Sequence, residues 1–184
     1  MPELPGLPQV YERVKKLQGI VIRAEKVRPD SDLLEFKIAS GGRFYARSLK
    51  STWKTYIWRK GQETWQVAWM PVEKQFYRTT YEMGNPLPAG FGSLWPGKWN
   101  LVQEGPTKKT LFAGKPALEI PCKFSTGHKV LLYVQPESLL PMGSITTVRG
   151  KISEMRYLSV KERVVTEREM IVVDPRNSKR PNTL

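Results

Sequence analysis

From Gly19 onward the apolar residues stop recurring every three or four positions and begin to alternate. That change of period constrains the fold more than any other feature, because a β-strand turns successive side chains to opposite faces. "GIVIRAEKV" reads as one strand, Pro29, Asp30, Ser31 and Asp32 as a turn, and "LLEFKIAS" as the next strand. There Leu34, Phe36 and Ile38 face inward while Glu35 and Lys37 face out. Gly41 and Gly42 supply a tight hairpin turn, "RFYARSL" returns as a third strand, and "ETWQVAWMPV" makes a fourth. Upstream, residues 7–18 place Leu7, Val10, Val14 and Leu17 on one helical face, with Pro8 in the first turn. One short amphipathic helix is expected there, packed across the end of a sheet.

The second half keeps the same habit. "ALEIPCKF" alternates, Gly127 marks a turn, "KVLLYV" follows, and "PESLLPMG" is a short connection. "SITTVRGKISEM" and "ERVVTEREMIVVD" are expected to complete the sheet. Between the halves, residues 84–98 hold four glycines and three prolines, which disfavours regular helix and central strand. The expected division is a helix plus first β domain at 1–83, a docked connector at 84–98, a second β domain at 99–174 and a polar tail at 175–184.

Both halves run strand, strand, hairpin, strand, connection, strand, which is the order of a small Greek-key barrel. The stretch "LLPMGSITTVRGKI" resembles the late strand of oligonucleotide-binding (OB) folds of the replication-protein-A type. That resemblance implies a mainly β protein of one or two small Greek-key, OB-like barrels with a short N-terminal helix.

Thirty basic against 17 acidic residues give a net charge of +13, spread through both halves. A surface this basic attracts polyanions, most commonly nucleic acid. The run 43–60, "RFYARSLKSTWKTYIWRK", concentrates six basic and five aromatic residues with no acid. On a strand Arg43, Tyr45 and Arg47 share one face, and Lys50, Trp53, Lys54, Tyr56, Trp58, Arg59 and Lys60 extend it. Cations track phosphates, and aromatic faces stack unpaired bases at about 1–3 kcal/mol per base. A second basic patch comprises Lys108, Lys109 and Lys115 with Phe112, followed by Lys123, Lys129, Arg149 and Lys151, the last two on a strand face with Ile145 and Thr147 around Gly150. The expectation is a non-enzymatic binder of single-stranded DNA or RNA, alone or in a larger nucleoprotein complex. The alternative is a basic adaptor or assembly subunit whose aromatics meet protein.

No apolar run approaches the ~20 residues that cross a bilayer, and charges from Glu12 to Lys16 interrupt any signal-like stretch. A cytoplasmic protein without a membrane partner is therefore expected. The single Cys122 and single His128, six positions apart, fit no standard metal spacing, so neither metal nor cofactor is expected. The opening Pro2, Glu3, Leu4 and Pro5 resembles the start of formamidopyrimidine-type DNA glycosylases, which implies an N-terminal proline nucleophile. The chain departs at Gly6, where those enzymes continue with Glu, and one cysteine excludes their Cys₄ zinc finger. Glycosylase chemistry is the remote alternative.

Overall fold

The computed structural model describes residues 3–40, 43–60, 63–82, 101–124 and 127–176. Pro2, the Gly41–Gly42 turn, the 84–98 connector and the tail beyond 176 lie outside the described residues. A helix, α1 (Leu7–Lys15), precedes strands β1 (Gly19–Arg28), β2 (Asp32–Ala39), β3 (Arg43–Ser48), β4 (Lys54–Lys60), β5 (Glu63–Met70) and β6 (Gln75–Glu82). The second half supplies β7 (Val102–Gln103), β8 (Lys108–Phe112), β9 (Lys115–Lys123), β10 (Lys129–Val134), β11 (Pro141–Val148) and β12 (Lys151–Glu162). A turn of 3-10 helix, Glu167–Met170, follows.

The strands form one antiparallel sheet in the order β6-β5-β4-β3-β2-β1-β12-β11-β10-β9-β7, with β8 also paired to β9. This is two meanders joined where the first strand meets the last. It corrects the expectation of Greek-key, OB-like barrels: the fold is mainly β with one short helix, but the sheet is single and open. Among the described residues its end strands β6 and β7 do not pair with each other. The physical reason is connection length. β4 lies within the stretch expected to cross a barrel end, so β3 turns back after five residues and pairs directly with β4. Likewise Arg149 (φ 47) and Gly150 (φ 78) make a two-residue hairpin that folds "SITTVRGKISEM" into two strands. Ala113 (φ 49) and Gly114 (φ 77) do the same between β8 and β9.

Alternation sets the two faces. On the inner face α1 buries Leu7, Val10 and Val14 in one cluster with Ile20 and Ile22 of β1, Phe36 and Ile38 of β2, Phe44 of β3, Ile120 of β9 and Leu132 of β10. On a flat sheet β3 and β9 would stand six spacings apart, roughly 29 Å at about 4.8 Å each. Their shared cluster requires the sheet to curl, and α1 fills the hollow. The helix thus packs on the face of the sheet, not across its end. Three contacts fix it: Leu7 N–H donates to Gln103 Oε1 at 2.8 Å, Tyr11 Oη–H donates to the Leu101 carbonyl at 3.2 Å, and Arg13 pairs with Glu162 of β12.

After β12 the chain leaves the sheet and runs as a strap over the outer face. Val165, Met170 and Val172 pack there against Tyr45 of β3, Tyr56 of β4, and Val67 and Trp69 of β5. The segment "ERVVTEREMIVVD" is accordingly a cover for the sheet and not a strand of it.

Candidate functional site

The basic aromatic run at 43–60 has the predicted parity. The register aligns Arg47 with Lys54, Tyr45 with Tyr56, and Tyr56 with Val67, so these side chains share the outer face. Its stacking surface is covered, however. Tyr45 and Tyr56 are each 4% exposed beneath the strap, and burial raises both phenols above their usual range. Trp58 is half-buried between Tyr56 and Trp65, with ring centres 5.0 and 6.0 Å away. Trp53 packs against the inner cluster.

Three of the cations are engaged too. Arg43 pairs with Glu167 of the strap at 2.6 Å and Arg47 with Glu35 at 2.9 Å, while Lys50 reaches Ser31 Oγ at 3.4 Å. Lys54 stands opposite Arg47 and Trp69. Arg59 and Lys60 belong to β4. Arg149 occupies the β11–β12 turn and Lys151 opens β12, so the pair does not share the strand face expected of it. In the sheet, β1 and β2 separate these two residues from β3.

Cys122 is buried beside the inner cluster, donates to the Ile120 carbonyl, and has its thiol pushed up to about 12 by burial. Buried in this way, Cys122 serves the packing of the inner cluster. Among the described residues no three His, Cys, Asp or Glu side chains gather as a metal site.

A different site lies where the second meander is incomplete. β11 pairs with β12 only from Lys151 to Arg156, whereas β12 continues along β1 to Glu162. The run Leu158–Glu162 thus has β1 on one side and, among the described residues, no strand on the other. A cavity of about 620 Å³ opens at this gap. Phe112 and Pro116 line it from the β8–β9 hairpin, Pro136 and Leu140 from the β10–β11 connection, Met142 from β11 and Leu158 from β12. Leu158 is the extra residue of a bulge against β1 and is 55% exposed.

Main-chain groups face this gap. Arg163 N–H donates to the Gly19 carbonyl at 3.1 Å, and backbone groups alternate sides along an antiparallel strand. Lys161 is therefore directed to β1 as well, while the N–H and C=O of Val160 and Glu162 point away from it. A proline explains why β11 stops short: Pro141, its first residue, has no N–H to give to a ladder. The wall opposite β12 is tied by its own hydrogen bonds and a ring contact. Gln135 N–H donates to the Leu140 carbonyl and Leu139 N–H to the Gln135 carbonyl, both at 2.9 Å. Phe112 stacks on Tyr133 with ring centres 4.1 Å apart. The Tyr133 hydroxyl donates to Glu119, and burial together with that carboxylate pushes its pKa up to about 12. Sequence reasoning missed this site because its signal is a difference in strand length, which no local pattern carries.

An open, curled antiparallel sheet around one helix, with a gap beside its last strand, defines the class of protein by fold. Among solved structures the chain is similar to an uncharacterized conserved protein from Thermus thermophilus, with TM-score 0.60 and 13% identity over 89% of this chain and 91% of that one. It is also similar to MucB of Pseudomonas aeruginosa in its complex with MucA, with TM-score 0.48 and 15% identity over 89% of this chain and 58% of that one. A third likeness is to a LolA-superfamily protein from Nitrosomonas europaea, with TM-score 0.39 and 13% identity over 90% and 97% of the two chains. No family model and no curated protein matches the chain.

The single open sheet, a fold shared with the Thermus protein, corrects the OB resemblance and with it the expected binding of single-stranded DNA or RNA and a nucleoprotein partner. The strap supplies the physical reason, since it occupies the aromatic surface on which bases were expected to stack. The glycosylase alternative rests on Pro2, which lies outside the described residues. Among the described residues no helix is long and apolar enough to cross a membrane.

Proposed function

We propose that this chain is a non-enzymatic binding module that holds a segment of a partner polypeptide in the gap between β12, the β10–β11 connection and the β8–β9 hairpin. The observation that carries the reading is the cavity itself, which combines apolar walls with main-chain donors and acceptors at one edge. A chain of amino acids presents that same mixture. Charged groups sit around the cavity without gathering into a paired acid and base, which suits recognition without chemistry. The hollow of the sheet is filled by α1, and the gap offers a partner an accessible concave surface.

The test is selection of peptides from a displayed random library on the immobilised protein, followed by affinity measurements on two variants. Leu158→Glu places a charge in the gap, whereas Val72→Glu changes a residue 88% exposed on the β5–β6 turn. Selected peptides are expected to lose about tenfold or more in affinity, or ~1.4 kcal/mol, to Leu158→Glu and nothing to Val72→Glu. A library that yields no binder, or binders indifferent to Leu158→Glu, sinks the reading.

A further inference from the structure

We infer that the gap takes its polypeptide as an added β-strand, paired through the main chain to Val160 and Glu162, with apolar side chains facing inward and acidic ones outward. The inference rests on the reading of the gap as a polypeptide site and specifies the chemistry of the occupant.

Three observations carry it. First, among the described residues no strand pairs with this edge of β12, and the backbone N–H and C=O of Val160 and Glu162 face the space that β11 does not reach. An unpaired strand edge of this kind is completed by another extended chain. Second, the two sides of that edge differ. The register places Val160 opposite Ile22 and Tyr157 opposite Ala24, on the inner face with the main core. Leu140, across the gap, also packs against that core. An incoming strand therefore meets apolar surface with every second side chain.

Third, the outer side is basic. Lys161 stands opposite Val21, Ser159 opposite Arg23, and Arg156 opposite Glu25, all on the outer face, and Lys115 looks in from the hairpin. Glu25 and Glu137 are the acids there, and Arg156 is also held by Glu154 at 2.8 Å. With Arg156 set against Glu154, the cations Arg23, Lys115 and Lys161 outnumber the two acids by one, which favours acidic residues at the outward positions of the guest. On the inner side Glu162, near the edge, is paired with Arg13 of α1.

The experiment tethers a defined guest. Glu137→Cys puts a thiol on the exposed connection, while native Cys122 is buried and inert. A peptide of alternating valine and glutamate is joined to it by a disulfide through a short glycine spacer, which holds it at roughly millimolar effective concentration. Amide exchange is then followed residue by residue by NMR. Without a guest, Lys161 is expected to be protected and Val160 and Glu162 to exchange freely. With the guest, both are expected to slow by about tenfold or more.

The same peptide with N-methylated backbone amides on its pairing edge is expected to give no protection. A valine–lysine peptide is expected to protect less than valine–glutamate. Equal protection by the N-methylated peptide, or none by the plain one, overturns strand addition. If peptides selected from the library still bind in a Leu158-dependent manner, the polypeptide site itself survives that outcome. Equal protection by valine–lysine overturns the acidic guest.

Discussion

Gly143 is where one side chain decides local packing. A Cβ at this position would lie 2.3 Å from the Met155 carbonyl oxygen and 2.6 Å from the Phe112 ring. Real carbon contacts do not occur at such distances, so glycine is what lets Phe112 lie flat on Tyr133 across β11. Gly143→Ala must push the ring away or bend β12, and overpacking of this kind costs about 1–3 kcal/mol. A lowered denaturant midpoint with an unchanged slope is expected in urea. Adding Phe112→Ala to that variant is expected to recover part of the loss, since it removes one of the two clashes. An unaltered midpoint in Gly143→Ala would mean that the ring does not cover this residue.

At the scale of elements the strap behaves as a separable cover. Glu169 accepts from Arg163 at 2.5 and 3.1 Å and from the Thr166 N–H at 3.0 Å. The Arg163 guanidinium first, and that N–H second, hold the Glu169 carboxyl at about 2, below its ordinary range near ~4.3. A depressed carboxylate stabilises the docked strap at all pH values above the ordinary range, and the contribution is lost as pH falls toward 2. The methyl resonance of Met170, fully buried with the docked strap, is the probe. It is expected to move toward its exposed position between about pH 4 and pH 2 in the native protein. In Glu169→Gln that pH dependence is expected to weaken and strap opening at neutral pH to rise. A Met170 resonance that keeps the same pH profile in Glu169→Gln removes this carboxylate from the account.

Much of this scale was legible in the chain. The helix face of Leu7, Val10, Val14 and Leu17, the strands β1, β2, β3, β5, β9 and β10, and the shared face of Arg43, Tyr45 and Arg47 all follow from periodicity. β4 was hidden because Thr55 and Ile57 on one face and Tyr56 and Trp58 on the other are all substantially buried, which erases the polar alternation that marks a half-buried strand. Beneath the strap the outer face is as apolar as a core. The strap itself reads as strand because β-branched residues suit any extended chain packed on an apolar surface. The gap beside β12 was illegible for another reason: it depends on where β11 ends relative to β12, a relation between two distant segments.

The whole molecule is held by the seam between β1 and β12. It joins residues 19–28 to residues 151–162, and the cluster around α1 draws side chains from both meanders. Two meanders that share one core should not melt independently, because removing either exposes apolar surface of the other. Ile22→Ala in β1 and Leu132→Ala in β10 test this, since each residue is fully buried in that cluster. Each substitution is expected to cost about 2–5 kcal/mol. The cost should appear in both halves: amides of β5, in the first meander, and of β9, in the second, lose protection at one common urea concentration in either variant. Separate midpoints, with Leu132→Ala leaving β5 amides untouched, would show that α1 does not couple the two meanders. The peptide gap would then sit on an autonomous second half and not on a single continuous sheet.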